Sequence, residues 1–202
     1  MKIRLINLIV WCGLVLMACA GPAVVTNPQS TTTTQTQTQT LTTTATRSYK
    51  IGDTGPAGGL IFYDKGNSSD GWRYLEAAPV SSEFKSEWGL KGTSVIGIET
   101  AIGTGKKNTS IIVEWSSDTA AGKCVALSVG GYKDWFLPSK DELNLMYKNL
   151  AENGQGQFAG KVYWASSQVN DRYACGQSFY NGIQLHGNNK AALGMVRAVR
   201  AF

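Results

Sequence analysis

Three stretches of the chain alternate short apolar runs with turn residues: LIFYD (60–64), WRYLEAAP (72–79) and KVYWASS (161–167). Each is rich in aliphatic and aromatic residues and bounded by Gly, Pro, Asn or Ser, which predicts strands. The turn-rich GDTGPAGG precedes the first, and KGNSSDG separates the first two. KKNTSIIVEW and DTAAGKCVALSV have a different period. Ile111, Ile112 and Trp115 share one face, and Ala120, Cys124 and Leu127 another, at helical spacing. The sharpest local signal is DWFLPSKDELNLMYKNL. Ser139 stands three residues before Glu142, a capping box, and Leu143, Met146, Tyr147 and Leu150 form an apolar stripe behind it. Trp135 and Phe136 are expected on the same core.

Residues 168–195 carry no such period. NDRYACGQSFYNGIQLHGNN is crowded with Asn, Gln, Tyr and Arg, and holds the single His. Within it Cys175–Tyr180 and Ile183–His186 flank Asn181-Gly182, which predicts a hairpin whose two turn residues both have φ > 0. The chain closes in MVRAVRAF, read as one central strand covered on both sides, with Val196, Ala198 and Phe202 facing one way and Val199 and Ala201 the other. Early strands, then helices, then a cluster of strands predict an α+β domain over 49–202, with helices segregated to one face of small antiparallel sheets.

The N-terminal part is of another kind. Lys2 and Arg4 precede a short apolar run that ends Leu16-Met17-Ala18-Cys19. This looks like a bacterial lipoprotein signal, 1–18, with cleavage before Cys19 and acylation of that residue. A plain signal peptide and an uncleaved anchor are the alternatives. Acyl chains hold a protein to a bilayer at about 0.8 kcal/mol per buried CH₂. Ala20, rather than Asp, after the Cys resembles lipoproteins sorted to the outer membrane. Residues 19–48 are then a Thr/Gln-rich tether with too few apolar side chains to offset their ordering entropy. As a random coil it would span on the order of 30 Å.

Charge and chemistry narrow the function. From Gly160 onward there are five basic residues (Lys161, Arg172, Lys190, Arg197, Arg200) and one acid, Asp171, an excess that points to anionic partners but is too weak for nucleic acid. Cys124 and Cys175 either form a disulfide, as an exported pair can, or stand apart as a small buried hydrophobe on a helix and an incidental surface residue. There is no His-Glu-x-x-His, Cys-x-x-Cys or Gly-x-Ser-x-Gly, and IGTGKKNT lacks the P-loop's Gly-Lys-Ser/Thr. Loop oxygens of Asp64, Asn67 and Asp70 are the candidate set for a structural calcium; no other cofactor is expected. Trp72, Trp88, Trp115, Trp135 and Trp164 are assigned to the core, and Tyr173 and Tyr180 to core or display in equal measure.

IGDTGPAGGLIFYDKG, GWRYLEAAP, IGTGKKNT, GGYKDWFLPSKDELNLMY, YWASS, FYNGIQ and VRAVRAF occur in this order. Together they resemble the C-terminal domain of the Legionella collagen-like (Lcl) surface adhesins, over essentially all of 49–202. That family is similar to the C-type-lectin-like fold of the formylglycine-generating-enzyme type. The resemblance implies adhesion, on cell-surface and lipid-anchored proteins, with sulfated glycans among the ligands. Some domains of this fold are diversified by retroelements in a segment between a YW-S-S strand and the terminal strand. The corresponding segment here is 168–195, which would display Asn170, Asp171, Arg172, Tyr173, Tyr180, His186 and Asn188 on a framework including Asn181, Gly182 and Lys190. An ordinary ligand loop of a fixed adhesin is the alternative. Met195 and Cys175 depart from the family pattern, and Ala191–Gly194 is flat. The expected roles are flat contact from Tyr173, Tyr180 and His186, hydrogen bonds from Asn170, Asn181 and Asn188, and attraction of anions by Arg172 with Lys190. The ligand would be a glycan or a surface protein, bound without catalysis. The rival readings are a structural envelope lipoprotein, and an oxidase using the two thiols.

Overall fold

The computed structural model describes residues 47–202. The segments expected to be a signal peptide and a tether, with Cys19, therefore lie outside the described residues except for 47 and 48. Two small sheets and three helices follow one another from Tyr49, the first buried residue of the described chain. Strands β1 (Leu60–Asp64), β2 (Tyr74–Ala77) and β8 (Val199–Ala201) form an antiparallel sheet in the order β1-β2-β8. The larger sheet has the order β3-β7-β4-β5-β6, with β3 Phe84–Ser86, β4 Val162–Gln168, β5 Tyr173–Ser178, β6 Gln184–Asn189 and β7 Gly194–Val196. It is antiparallel except where β7 runs parallel to β4, at Tyr163 and Met195. Helices α1 (Gly105–Trp115), α2 (Ala120–Val125) and α3 (Lys140–Asn149) complete an α+β domain.

The capping box forms as the sequence predicts. Ser139 Oγ accepts from Glu142 N, and the Glu142 carboxylate accepts from Ser139 N at 2.7 Å. The same carboxylate also accepts from Gly103 N at 2.8 Å, so one side chain caps α3 and holds the approach to α1. Burial pushes the Glu142 carboxyl above its ordinary pKa against these backbone donors.

The helices are not confined to one face. Along β4 the side chains alternate: Trp164 joins Trp88, Ile112, Ala120, Cys124 and Trp135, the core under α1 and α2. Tyr163 and Ala165 join Leu143, Met146, Leu150, Phe136 and Phe62, the core under α3. A strand buried on both faces needs cover on both, and the helices divide between them. Trp115 is another correction: it is 57% exposed. The buried stripe of α1 is Gly105, Asn108, Thr109 and Ile112, and the helix stops at Trp115 before an extended Ser116, so the ring lies beyond the packed surface.

The C-terminal run is not one central strand either. It divides into β7 in the larger sheet and β8 at the edge of the smaller one, with Arg197 and Ala198 crossing between them. Both arginines of VRAVRAF point inward. Arg200 is 4% exposed; it donates to both Asp134 carboxylate oxygens, at 2.9 and 3.0 Å, and to Glu76. Glu76 is fully buried and also accepts from Ala57 N and Gly59 N, at 3.0 and 2.8 Å, which fixes the glycine-rich entry loop. A Cβ at Gly59 would fall 1.9 Å from the Ala77 carbonyl oxygen, so only glycine fits there. Arg197 donates to Glu83, which also accepts from the Tyr163 hydroxyl at 2.8 Å.

Cys124 and Cys175 are both buried and unbonded, each in a different core. The surface placement of Cys175 is thereby corrected: β5 turns it toward α3.

Replacing Glu76 by Ala leaves Arg200 short of a buried partner and two backbone N–H groups without an acceptor. A loss of roughly 3–5 kcal/mol in unfolding free energy is expected. Urea denaturation measures it, and a loss under about 1 kcal/mol would show that Asp134 alone suffices for Arg200.

Candidate ligand-binding face

The polar segment becomes β5, β6 and their connections at one end of the larger sheet. At the β4–β5 turn, Asn170 Oδ1 accepts from Arg172 N and Tyr173 N, both at 2.9 Å, and so fixes the bend that presents those two residues. Arg172 is exposed, and among the described residues its one ion-pair partner is Asp171, at 4.0 Å. Tyr173 is 39% exposed. Beside them opens a recess of ≈ 500 Å³ lined by Lys91, Gly92, Arg172, Tyr173 and Asn189. A second, of ≈ 280 Å³, shares Asn189 and is lined by apolar Val162, Trp164, Ala192 and Leu193 with Asn188 at its rim. Leu193 is 71% exposed over it.

The edge strand β6 is bulged. Between the Ala174–Asn188 and Gly176–Leu185 pairs, the single Cys175 of β5 faces both His186 and Gly187. His186 is exposed at this bulge. Asn188 is half-buried, and its amide donates to Ala174 O and Leu185 O at 3.5 and 3.4 Å, so it serves the bulge as well as the recess.

The β5–β6 connection is wider than a two-residue turn. Ser178 N donates to Ile183 O and Gly182 N to Ser178 O, both near the hairpin mouth, at 2.9 and 2.8 Å. Only Gly182 has a positive φ, of 76°; Asn181 does not. The two-residue turn with both φ positive is thus corrected to a five-residue loop, 179–183. Phe179 is drawn into the core against Tyr163 and Tyr147, which lengthens the loop and leaves Tyr180 82% exposed. Asn181 is exposed, and its Oδ1 accepts from Ile183 N.

The expected site therefore divides. Tyr173 and Tyr180 stand at opposite ends of β5, roughly 20 Å apart at strand rise. Asn170, Asp171, Arg172, Tyr173 and Asn188 cluster at the recess end, Tyr180 and Asn181 at the hairpin tip, with His186 between.

Lys190 is not displayed. It is fully buried, with Nζ donating to Thr93 O and Gln168 Oε1, both at 2.8 Å, and lying 4.5 Å from the centroid of the Trp88 ring. Its expected role as a surface attractor of anions is corrected to an internal clamp, because the lysine stem is long enough to cross the sheet edge and reach a loop carbonyl. The C-terminal basic excess shrinks accordingly. Lys190, Arg197 and Arg200 face inward, and only Lys161 and Arg172 remain on the surface. Lys91, Gly92 and Asn189 line the recess but are not among the expected residues; Lys91 and Gly92 belong to GLKGTS, whose glycines signal a turn but nothing about what the turn adjoins.

The calcium set does not hold together. Asp64 accepts a forked pair of bonds from Arg73 at 2.7 and 2.9 Å, Asp70 accepts from Lys65 at 2.8 Å, and Asn67 Oδ1 accepts from Ser69. The arginine holds the Asp64 carboxyl below its ordinary value. A cation there would have to displace both basic partners.

Burial lowers the Lys190 ammonium to about 8, against a smaller opposing pull from Asp171. Between that value and the 10.5 of a free lysine, the unfolded chain holds a proton that the folded chain lacks. Raising pH through this window therefore favours the folded state. The stability of the native chain minus that of Lys190→Met is expected to grow from pH 8 to 10.5, as followed by denaturant titration. A pH-independent difference would contradict it.

The chain matches no protein-family model, and no curated protein matches it.

Proposed function

We propose that this is a surface-displayed, lipid-anchored binding protein. Its C-terminal domain, C-type-lectin-like as its motifs imply, holds a ligand on the face built by residues 169–193. The observation that carries the reading is the recess at Arg172, Tyr173 and Asn189. There a guanidinium with one distant carboxylate neighbour, a partly exposed aromatic ring and a carboxamide converge around ≈ 500 Å³ of open space. By contrast, Arg197 and Arg200 of the C-terminal run face inward and are paired with Glu83, Glu76 and Asp134. A cation left on the surface beside a ring and amides suits a glycan bearing carboxylate or sulfate, with the adjacent apolar recess taking a methyl or acetyl group.

The lipid anchor at Cys19, outer-membrane location and Thr/Gln tether remain part of this proposal on the sequence pattern alone. So does diversification of 168–195, limited to exposed positions such as Asn170, Arg172, Tyr173, Tyr180, His186 and Asn189, since Ala174, Cys175 and Phe179 of the same segment belong to the cores and Lys190 is buried. The reading carries no catalysis. The two thiols belong to separate cores, and burial raises the pKa of both, which leaves the paired-thiol chemistry of the oxidase without a geometry.

A glycan and cell-surface array probed with the chain, beside a version in which Asn170, Arg172, Tyr173, His186 and Asn189 are replaced by Ser, tests the proposal. Binding lost on replacement is expected, with the unfolding transition retained. Equal binding by both chains rules the face out and favours a structural envelope role. Retention on protein spots alone would make the ligand a partner protein.

A further inference from the structure

The recess has two walls, from distant parts of the chain. Arg172, Tyr173 and Asn189 form one; Lys91 and Gly92, in the loop between β3 and α1, form the other. That loop is tied down at several points. Gly89 N donates to Lys190 O and Gly92 N to Asp171 O, at 3.2 and 2.8 Å. Val95 N and O both bond the Gln168 carboxamide. Between these anchors the buried Lys190 ammonium reaches Thr93 O and shares Gln168 Oε1. Leu90 is held at φ 53°, a left-handed conformation that a branched side chain adopts only when its surroundings enforce it.

The backbone bond from Gly92 to Asp171 brings the neighbouring Lys91 and Arg172 to one opening; among the described residues Lys91 has no ion-pair partner, and Arg172 has Asp171 at 4.0 Å. Both are exposed cations lining the same recess, from two segments of the chain, where one anionic group can meet both.

We infer that Lys91 is a ligand-contacting residue of this face, set opposite Arg172 about one anionic group, and that the buried Lys190 is the positioning residue that holds its loop there. The inference rests on the proposed ligand face and adds a second segment to it, some eighty residues upstream of the first. The charged groups on the elements packed around Lys190 are Glu87, Lys91 and Glu99 on the loop, Glu99 being paired with Lys107, and Asp171 and Arg172 on the β4–β5 turn; β4 offers the neutral Gln168. With the loop released, the Lys190 ammonium returns to water and keeps its proton above pH 8, whereas the clamped loop holds it neutral; raising pH through this window therefore favours the clamped wall that carries Lys91.

The test uses the full chain in detergent micelles, immobilised dextran sulfate as probe and unsulfated dextran as control. Lys91→Ala and Arg172→Ala are each expected to weaken binding roughly tenfold, the value of one charge-assisted hydrogen bond. Neither should shift the melting transition. Native affinity is expected to rise as pH rises through about 8. Lys190→Met should flatten that profile. Asp171→Asn, which removes the carboxylate that holds the Lys190 pKa up, should move the rise to lower pH, and it keeps the test open if Lys190→Met does not fold. If Arg172→Ala weakens binding and Lys91→Ala does not, the second wall is wrong while the face stands. If neither matters, or the native chain does not bind dextran sulfate above dextran, both are wrong. A native profile flat from pH 7 to about 9.5 removes the role given to Lys190.

Discussion

The ion pair between Arg200 and the fully buried Glu76 ties the two ends of the domain together. Glu76 sits in the middle strand of the smaller sheet and takes the backbone donors of the entry loop. Arg200 sits in the last strand and reaches Asp134, just before the Trp135–Phe136 core and the capped helix. One carboxylate and one guanidinium thus close the N-terminal loop, both termini of the sheet and the start of α3 into a single constraint. An isolated buried charge would be untenable. Here each charge is hydrogen-bonded on several sides, the condition under which burial is tolerated.

This constraint determines what is left for recognition. The terminal strand pair uses its arginines inward, and Lys190 does the same at the sheet's far end. The surface charge of the C-terminal third is therefore sparse, and what remains is placed by backbone: Asn170 fixes the turn beneath Arg172 and Tyr173, and the loop at Lys91 is drawn in by Lys190. The ligand face is consequently a rigid frame with few exposed charges rather than a broad basic surface.

Much of the fold was legible. The capping box at Ser139 and Glu142 is a local code, since both bonds close within one turn, and it forms in full. LIFYD and KVYWASS became strands because their apolar content and turn flanks agree. What failed was tertiary. VRAVRAF has the composition of one strand, yet Arg197 must meet Glu83 and Arg200 must meet Glu76, and the chain breaks between sheets to satisfy both. Charge alone could not reveal that Lys190 is inside, because its partners are a carbonyl 97 positions away, an amide 22 positions away and a tryptophan ring. Asn-Gly signals a hairpin truthfully, but Phe179 is pulled into an aromatic cluster and the loop widens. Within the site, exposure of Arg172, Tyr173, Tyr180 and His186 follows from their lack of period; the separation of the two tyrosines, and the part played by residues 91 and 92, depended on contacts with no local trace.

The bulge in β6 has a consequence for molecules crowded side by side. The larger sheet ends in two edges: β3, of three residues, and β6, of six. A straight, uncharged strand such as QLHGNN would present a row of backbone donors and acceptors to any neighbour and invite sheet-to-sheet stacking between molecules. The extra residue at His186–Gly187 breaks that row's spacing, so a second chain cannot add in register along it. Copies packed at high density can therefore keep a neutral, amide-rich rim facing outward without that rim becoming the seed of a fibre.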